Sequence, residues 1–167
     1  MEKFEKYHPI MTHHYTFNWL TSARLNESTK LMQFHQQQPD LTTAKAASTI
    51  NQTMLKVMRN QQLTWGIFNR ADDRLLGLAN LFEIDEQHSS LKIQLELLVP
   101  QSDSGINELL ARLVSFAFAE LDLETIYFEK SDNSAATASL LTKLGFAQQP
   151  TNDDWFLKRA VSIQNQS

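Results

Sequence analysis

The sequence predicts an α/β domain built on a mixed sheet, and three observations carry that prediction. Tyr15, Phe17 and Trp19 alternate with Thr16, Asn18 and Leu20, the period of a half-buried strand. Three more strand patterns follow one another between residues 63 and 99 with polar turns between them, as in an antiparallel meander. A strand, helix, strand succession from Leu91 to Glu129 then argues a right-handed crossover and hence one parallel pair.

Taken in order, strand one is followed by a helical stretch over Asn26 to Gln37 and, after Pro39, by a second over Thr42 to Gln61. In the second, Ile50, Met54, Val57 and Met58 recur at helical spacing. The run Thr64 to Asn69, the polar turn Arg70 to Asp73 and the run Leu75 to Ile84 read as a β-hairpin. The turn Asp85 to Ser90 leads to a strand over Leu91 to Val99, stopped by Pro100. Ile106 to Leu121 places Leu109, Leu110, Leu113, Ala117 and Leu121 on one helical face, and Thr125 to Glu129 reads as a buried strand. A last helix over Ser134 to Leu144 ends at Gly145, a left-handed C-terminal cap, and Asp154 to Arg159 closes the sheet.

Composition narrows the function classes. The chain is 167 residues, 42% hydrophobic and 20% charged, which fits a single domain over residues 1–167 with a core from about Tyr15 to Arg159. Its net charge of −4 disfavours nucleic acid as a partner. The absence of cysteine removes disulfides, thiolate zinc sites and a cysteine nucleophile. The charged first ten residues, broken by Pro9, lack the apolar core of a signal peptide, and no apolar run reaches membrane-spanning length, so the expectation is a cytoplasmic protein without a membrane partner. Four glycines, at 66, 77, 105 and 145, are too scattered for a multi-glycine phosphate loop. The five histidines include no His-Glu-x-x-His spacing, so no metal is expected, and no Gly-x-Ser-x-Gly elbow supports a hydrolase. Trp19, Trp65 and Trp155 read as strand residues in the core or the walls of a cleft, and Phe34, Met54 and Met58 most simply as core.

Several blocks together resemble the GCN5-related N-acetyltransferase (GNAT) superfamily, in particular its branch of ribosomal-protein N-terminal acetyltransferases. They are Trp65-Gly-Ile-Phe with Leu75-Leu-Gly-Leu, Leu97-Leu-Val-Pro100, Ser115-Phe-Ala-Phe-Ala-Glu-Leu121, and Asn133 to Lys143-Leu-Gly-Phe146. The last two, at this separation, are the most specific. The resemblance implies a GNAT-like mixed, mostly antiparallel sheet with a central splayed parallel pair, flanked by helices. It also implies acetyl-CoA as co-substrate, a primary amine as acceptor and no metal. Leu98 and Val99 would meet the pantetheine arm with their backbone, and a strand N–H would polarise the thioester carbonyl. Gln101, Ser102, Ser104, Gly105, Ile106 and Asn107 would lie at the pyrophosphate, at the start of a helix whose dipole favours anions, and Asn133 and Ser134 would contribute from the start of the last helix.

The chain departs from the family pattern in two places. The family loop runs Arg/Gln-x-x-Gly-x-Gly/Ala; here Gln101 matches, Ser104 and Ile106 replace the small residues, and the stretch after Pro100 is about two residues shorter. Asp103 adds negative charge where pyrophosphate would lie; alternatively Asp103 or Ser104 simply caps the helix. The tyrosine that protonates the departing thiolate in many members is replaced by Leu141, which leaves Thr137, one turn earlier, as a hydroxyl or as plain helix packing. Glu96, alternating with Leu95 and Leu97 near the splay point, is either the general base or part of a solvated strand face, with Gln94 beside it. Tyr127 is the second candidate base, or a core aromatic. By analogy with the family, His35 and the adjoining glutamines would face the amine.

The leading expectation is therefore an acetyl-CoA-dependent N-acetyltransferase acting on a protein N-terminus or a small amine by direct attack, with association into a homodimer left open. The rival is a catalytically degenerate module that binds acyl-CoA or a protein partner without turnover.

Overall fold

The computed structural model describes residues 4–128, 135–149 and 154–159. Eight strands form one sheet in the order β1-β2-β3-β4-β5-β6-β8-β7. They are β1 (Ile10–Met11), β2 (Tyr15–Asn18), β3 (Leu63–Asn69), β4 (Leu75–Asp85), β5 (Ser90–Leu97), β6 (Thr125–Phe128), β7 (Ala147–Gln148) and β8 (Trp155–Lys158). The helices are α1 (Leu25–His35) and α2 (Thr43–Met58) between β2 and β3, α3 (Asp103–Ala119) between β5 and β6, and α4 (Ala135–Lys143) before β7. β5 and β6 run parallel, and every other recorded pairing is antiparallel.

Local chemistry accounts for the helix ends. Thr42 accepts a hydrogen bond from the Lys45 N–H at the start of α2, and Ser102 accepts one from the Gly105 N–H at the start of α3. α3 consequently begins a turn earlier than its apolar face suggests, and its cap is Ser102, not Asp103 or Ser104. α4 ends with Gly145 at φ 97°. There the Gly145 N–H bonds the Thr142 carbonyl and the Phe146 N–H the Leu141 carbonyl, a reciprocal closure that needs the left-handed residue.

Alternation within the strands makes two cores. Trp65, fully buried, packs edge-on to Phe116 of α3 and stacks on Trp19, and its indole N–H donates to the Tyr7 carbonyl at 2.8 Å. A second cluster holds Phe68, Leu75 and Leu78 of β3 and β4 against Leu31 and Met32 of α1 and Ala46 and Ile50 of α2. Glu27 of α1 accepts from the Leu75 N–H at 3.1 Å and ties that helix to the start of β4.

Three expectations change, those for Trp19, Phe34 and Met58. Trp19 lies just past β2, where the chain turns into a short 3-10 segment (Leu20–Ser22), and so is not a strand residue. Phe34 and Met58 are not core, being 49% and 57% exposed, because the buried stripe of each helix is narrow and they lie beside it. The two-residue strands β1 and β7 are too short to register as a period. Glu129, Asn133 and Ser134 lie outside the described residues.

Candidate active site

The site follows from the way β5 leaves its neighbours. It pairs with β4 as far as Gly77↔Leu97, but with β6 only from Ser90↔Thr125 to Ile93↔Phe128 among the described residues. Continuing the β4 register would set Leu98 against Leu76, yet it is the Val99 N–H that reaches the Leu76 carbonyl, at 3.0 Å. Leu98 is thus an extra residue, a bulge that re-aims the end of β5. Beyond the last described pair, between the end of β5 and Phe128, there is a cavity of about 990 Å³. One wall is Leu95 to Leu98 with Pro100 and Gln101, a second is Phe128 with Thr137 and Ile106, and the third is the last turns of α1 with Lys30, Gln33, Phe34, His35 and Gln37.

Glu96 enters this cavity as its only lining carboxylate among the described residues. One of its oxygens faces His35 Nδ1 at 2.8 Å, and the other accepts from Gln94 Nε2 at 2.8 Å. The side chains of His35 and Glu96 are 32% and 15% exposed, so the pair is half-withdrawn from water. The hydrogen bond and the charge of Glu96 raise the His35 pKa above its ordinary value, against a burial effect that lowers it. The expected solvated strand face is therefore a half-buried pair at a cavity wall.

The other sequence candidates are distributed unequally. Leu98, Gln101, Ile106 and Thr137 line the cavity. Tyr127 does not; it borders a separate recess with Glu83, Asp85 and Lys92. The Val99 N–H is spent on Leu76, and its carbonyl accepts from Gln101 Nε2 at 3.1 Å. Ser102 is the α3 cap, Ser104 is exposed in the first helical turn, and Asn107 is half-buried outside the cavity lining.

Tyr15 is the residue that sequence reasoning passed over. Its hydroxyl donates to Gln101 Oε1 at 2.8 Å, and a Cβ on Gly105 would stand 2.2 Å from the Tyr15 hydroxyl oxygen. Gly105 is a glycine because Tyr15 fills the space beneath the start of α3. Glu108, one turn on, accepts from the Thr12 hydroxyl and from the His14 N–H (2.8 Å) and imidazole (2.7 Å), clamping the turn between β1 and β2 to α3. No local signal marks these partners, which are 86 to 96 residues apart.

Burial opposes ionisation of Glu108, but the hydrogen bonds from His14 and Thr12 prevail and hold its carboxyl at about 2, below the ordinary 4.5. A depressed carboxyl contributes stability that is complete above its unfolded value and is lost as pH falls through its folded one. Glu108→Gln should therefore be less stable than wild type by about 1 kcal/mol above pH ~5, allowing for solvent screening. The gap should close between pH 4.5 and about 2. Denaturant melts at three pH values measure it.

The acetyltransferase (GNAT) domain model matches residues 14–147. The chain belongs to this family. No curated protein sequence matches it, but solved GNAT structures superpose over most of the chain. A Vibrio cholerae protein assigned as a ribosomal-protein-serine acetyltransferase aligns with a TM-score of 0.69 at 15% identity, covering 90% of this chain and 97% of its own. A ribosomal-protein alanine acetyltransferase from Vibrio fischeri gives 0.69 at 10% identity, covering 93% and 97%. A spermidine N-acetyltransferase from Vibrio cholerae gives 0.58 at 18%, covering 68% and 74%. At these identities the likeness is one of fold, and an eight-stranded, mostly antiparallel sheet with one parallel pair is the fold found here.

The residues present fit a CoA thioester over part of its length. The cavity at the splay is open and mainly apolar in its lining, as an acyl-pantetheine arm requires, and the first turn of α3 presents the N–H groups of Asp103 and Ser104. Against the pyrophosphate stand the Asp103 carboxylate in that same turn and Gln101, whose side chain is already bonded to Tyr15 and Val99. Among the described residues no group of three or more His, Cys, Asp or Glu could hold a metal, and no helix is long and apolar enough to cross a membrane.

Proposed function

We propose that this GNAT domain transfers the acetyl group of acetyl-CoA to a primary amine, either a protein N-terminus or a small amine. The observation that carries the reading is the Glu96 carboxylate, held by His35 and Gln94, at the cavity between the end of β5 and Phe128 of β6. Acetyl-CoA supplies a thioester carbonyl carbon for direct attack; with no cysteine in the chain, an acyl-thiol enzyme has no place in the scheme.

The chain's own groups divide the remaining work. The Leu98 backbone, freed from register by the bulge, would donate to the thioester carbonyl oxygen, since the Val99 N–H is committed to Leu76. Thr137, on the opposite wall, would offer a hydroxyl to the leaving sulfur, a modest requirement because a thiol of pKa about 8.5 departs readily near neutral pH. Phe34, Gln33 and Gln37 would form the wall over which the acceptor enters. The carboxylate with its histidine would remove the amine proton.

Release of free thiol from acetyl-CoA, followed with a panel of amines that includes peptides with free N-termini, amino acids and polyamines, tests the proposal. The expected result is release that depends on one class of amine. A second reading, a module that binds acyl-CoA without turnover, draws on Asp103 and on the commitment of Gln101 and Gly105 to Tyr15. Saturable binding with no release for any amine would favour it.

A further inference from the structure

We propose that His35, rather than Glu96, takes the proton from the acceptor amine, and that Glu96 acts as a positioning residue that fixes the imidazole's tautomer and orientation. The inference rests on the acetyl-transfer reading and assigns the roles within its site.

The hydrogen bonds argue it first. An ionised carboxylate can only accept, so the 2.8 Å contact between His35 Nδ1 and Glu96 Oε2 puts the proton of the neutral imidazole on Nδ1. The ring's other nitrogen, Nε2, is then left with its lone pair, which is the form a base needs. Glu96 is placed differently. Both of its oxygens are already in hydrogen bonds, to His35 and to Gln94, and its side chain is only half as exposed as that of His35. Glu96 keeps a lone pair on each oxygen, but the histidine is the more exposed of the two groups, and its Nε2 lies outside the chain of hydrogen bonds that holds the carboxylate.

The surroundings favour proton uptake on the ring. His35 is the last residue of α1, where the helix dipole stabilises a cation, and Glu96 lies against it with a negative charge. The raised affinity of the ring for its proton has the same origin. Among the described residues, the titratable groups lining this cavity are Lys30 and His35 from α1 and Glu96 from β5; β6, α3 and α4 contribute Phe128, Ile106 and Thr137, none of which titrates in the working range. Of these, Glu96 is the one in direct contact with the ring.

The step balances with groups already named. The acceptor first loses one proton to solvent to become a free amine. As its nitrogen bonds the acetyl carbon, the second proton passes to His35 Nε2, the C–S bond breaks, and its electron pair leaves on sulfur. The thiolate then takes a proton from His35 or solvent, giving amide and free thiol and restoring the neutral ring.

Two measurements test the assignment. In the protein without ligand, the His35 imidazole signal, identified by its loss in His35→Gln, should titrate above the free-histidine range and move to lower pH in Glu96→Gln. In acetyl transfer, kcat/KM of the wild type should rise with pH to a plateau. Glu96→Gln should keep the imidazole's part of that limb, moved to lower pH, with a rate lowered about 10- to 100-fold, whereas His35→Gln should lose about 100-fold or more, keep only the part of the limb set by deprotonation of the acceptor amine, and be partly restored by added imidazole. Loss of the limb in Glu96→Gln with its retention in His35→Gln would overturn the assignment and leave Glu96 as the base. An imidazole titration indifferent to Glu96→Gln would overturn it as well. Absence of acetyl transfer by the wild type to every amine, with acetyl-CoA in excess, would instead overturn the functional reading beneath it.

Discussion

Gly77→Ala should destabilise the protein by about 3 kcal/mol, which for a chain of this size lowers Tm by about 9 °C. A Cβ at this position would stand 2.2 Å from the backbone oxygen of Glu96 and 3.0 Å from Leu97 Cα. Neither neighbour is the free end of a side chain, so β4 and β5 themselves must separate. The displaced residues carry the carboxylate and the bulge, and acetyl transfer should accordingly fall further than the loss of folded protein accounts for. Gly66→Ala provides the contrast: its Cβ would meet the ends of Leu75 and Phe68 side chains at 2.9 Å, which can move, so the cost should be smaller. Calorimetric melts of the two variants, set beside their rates, separate the effects.

Thr137→Trp should weaken acetyl-CoA binding by about 100-fold while leaving Tm within a few degrees of wild type. Thr137 is half-exposed on α4 and lines the cavity opposite β5, so an indole there extends into open space that the pantetheine arm needs rather than into packed core. A merely structural threonine would give the reverse pattern, lowered stability with unchanged affinity. Titration of the variant with acetyl-CoA, paired with a melt, distinguishes them.

How much of this was readable in the sequence depended on how local each signal was. The alternation from Tyr15 to Trp19, the three-strand meander and the Gly145 cap are encoded within a few residues, and the elements are found there, with boundaries moved by a turn at most. The parallel pair followed from a chirality rule that needs only the order of elements. Phe34 was misplaced because helical spacing identifies an apolar stripe but not whether core or cavity lies in front of it. Glu96 was legible as a carboxylate in an apolar strand, but His35 lies 61 residues away from it and only the family resemblance brought it near the acceptor. Tyr15 carried no sign beyond strand alternation, although its hydroxyl explains why Gly105 is a glycine and what Gln101 holds. The departures from the family loop marked the place where the Tyr15 hydroxyl packs against Gln101 and Gly105.

The central claim, that the gap between β5 and β6 holds an acyl-CoA, is tested most directly by isothermal titration of the wild type with acetyl-CoA, CoA and pantetheine. We expect saturable one-to-one binding of acetyl-CoA that depends on the pantetheine arm. The nucleotide should add little, because Asp103 opposes the pyrophosphate and Gln101 is already bonded elsewhere. Absence of heat and of thermal stabilisation at millimolar acetyl-CoA would contradict the account.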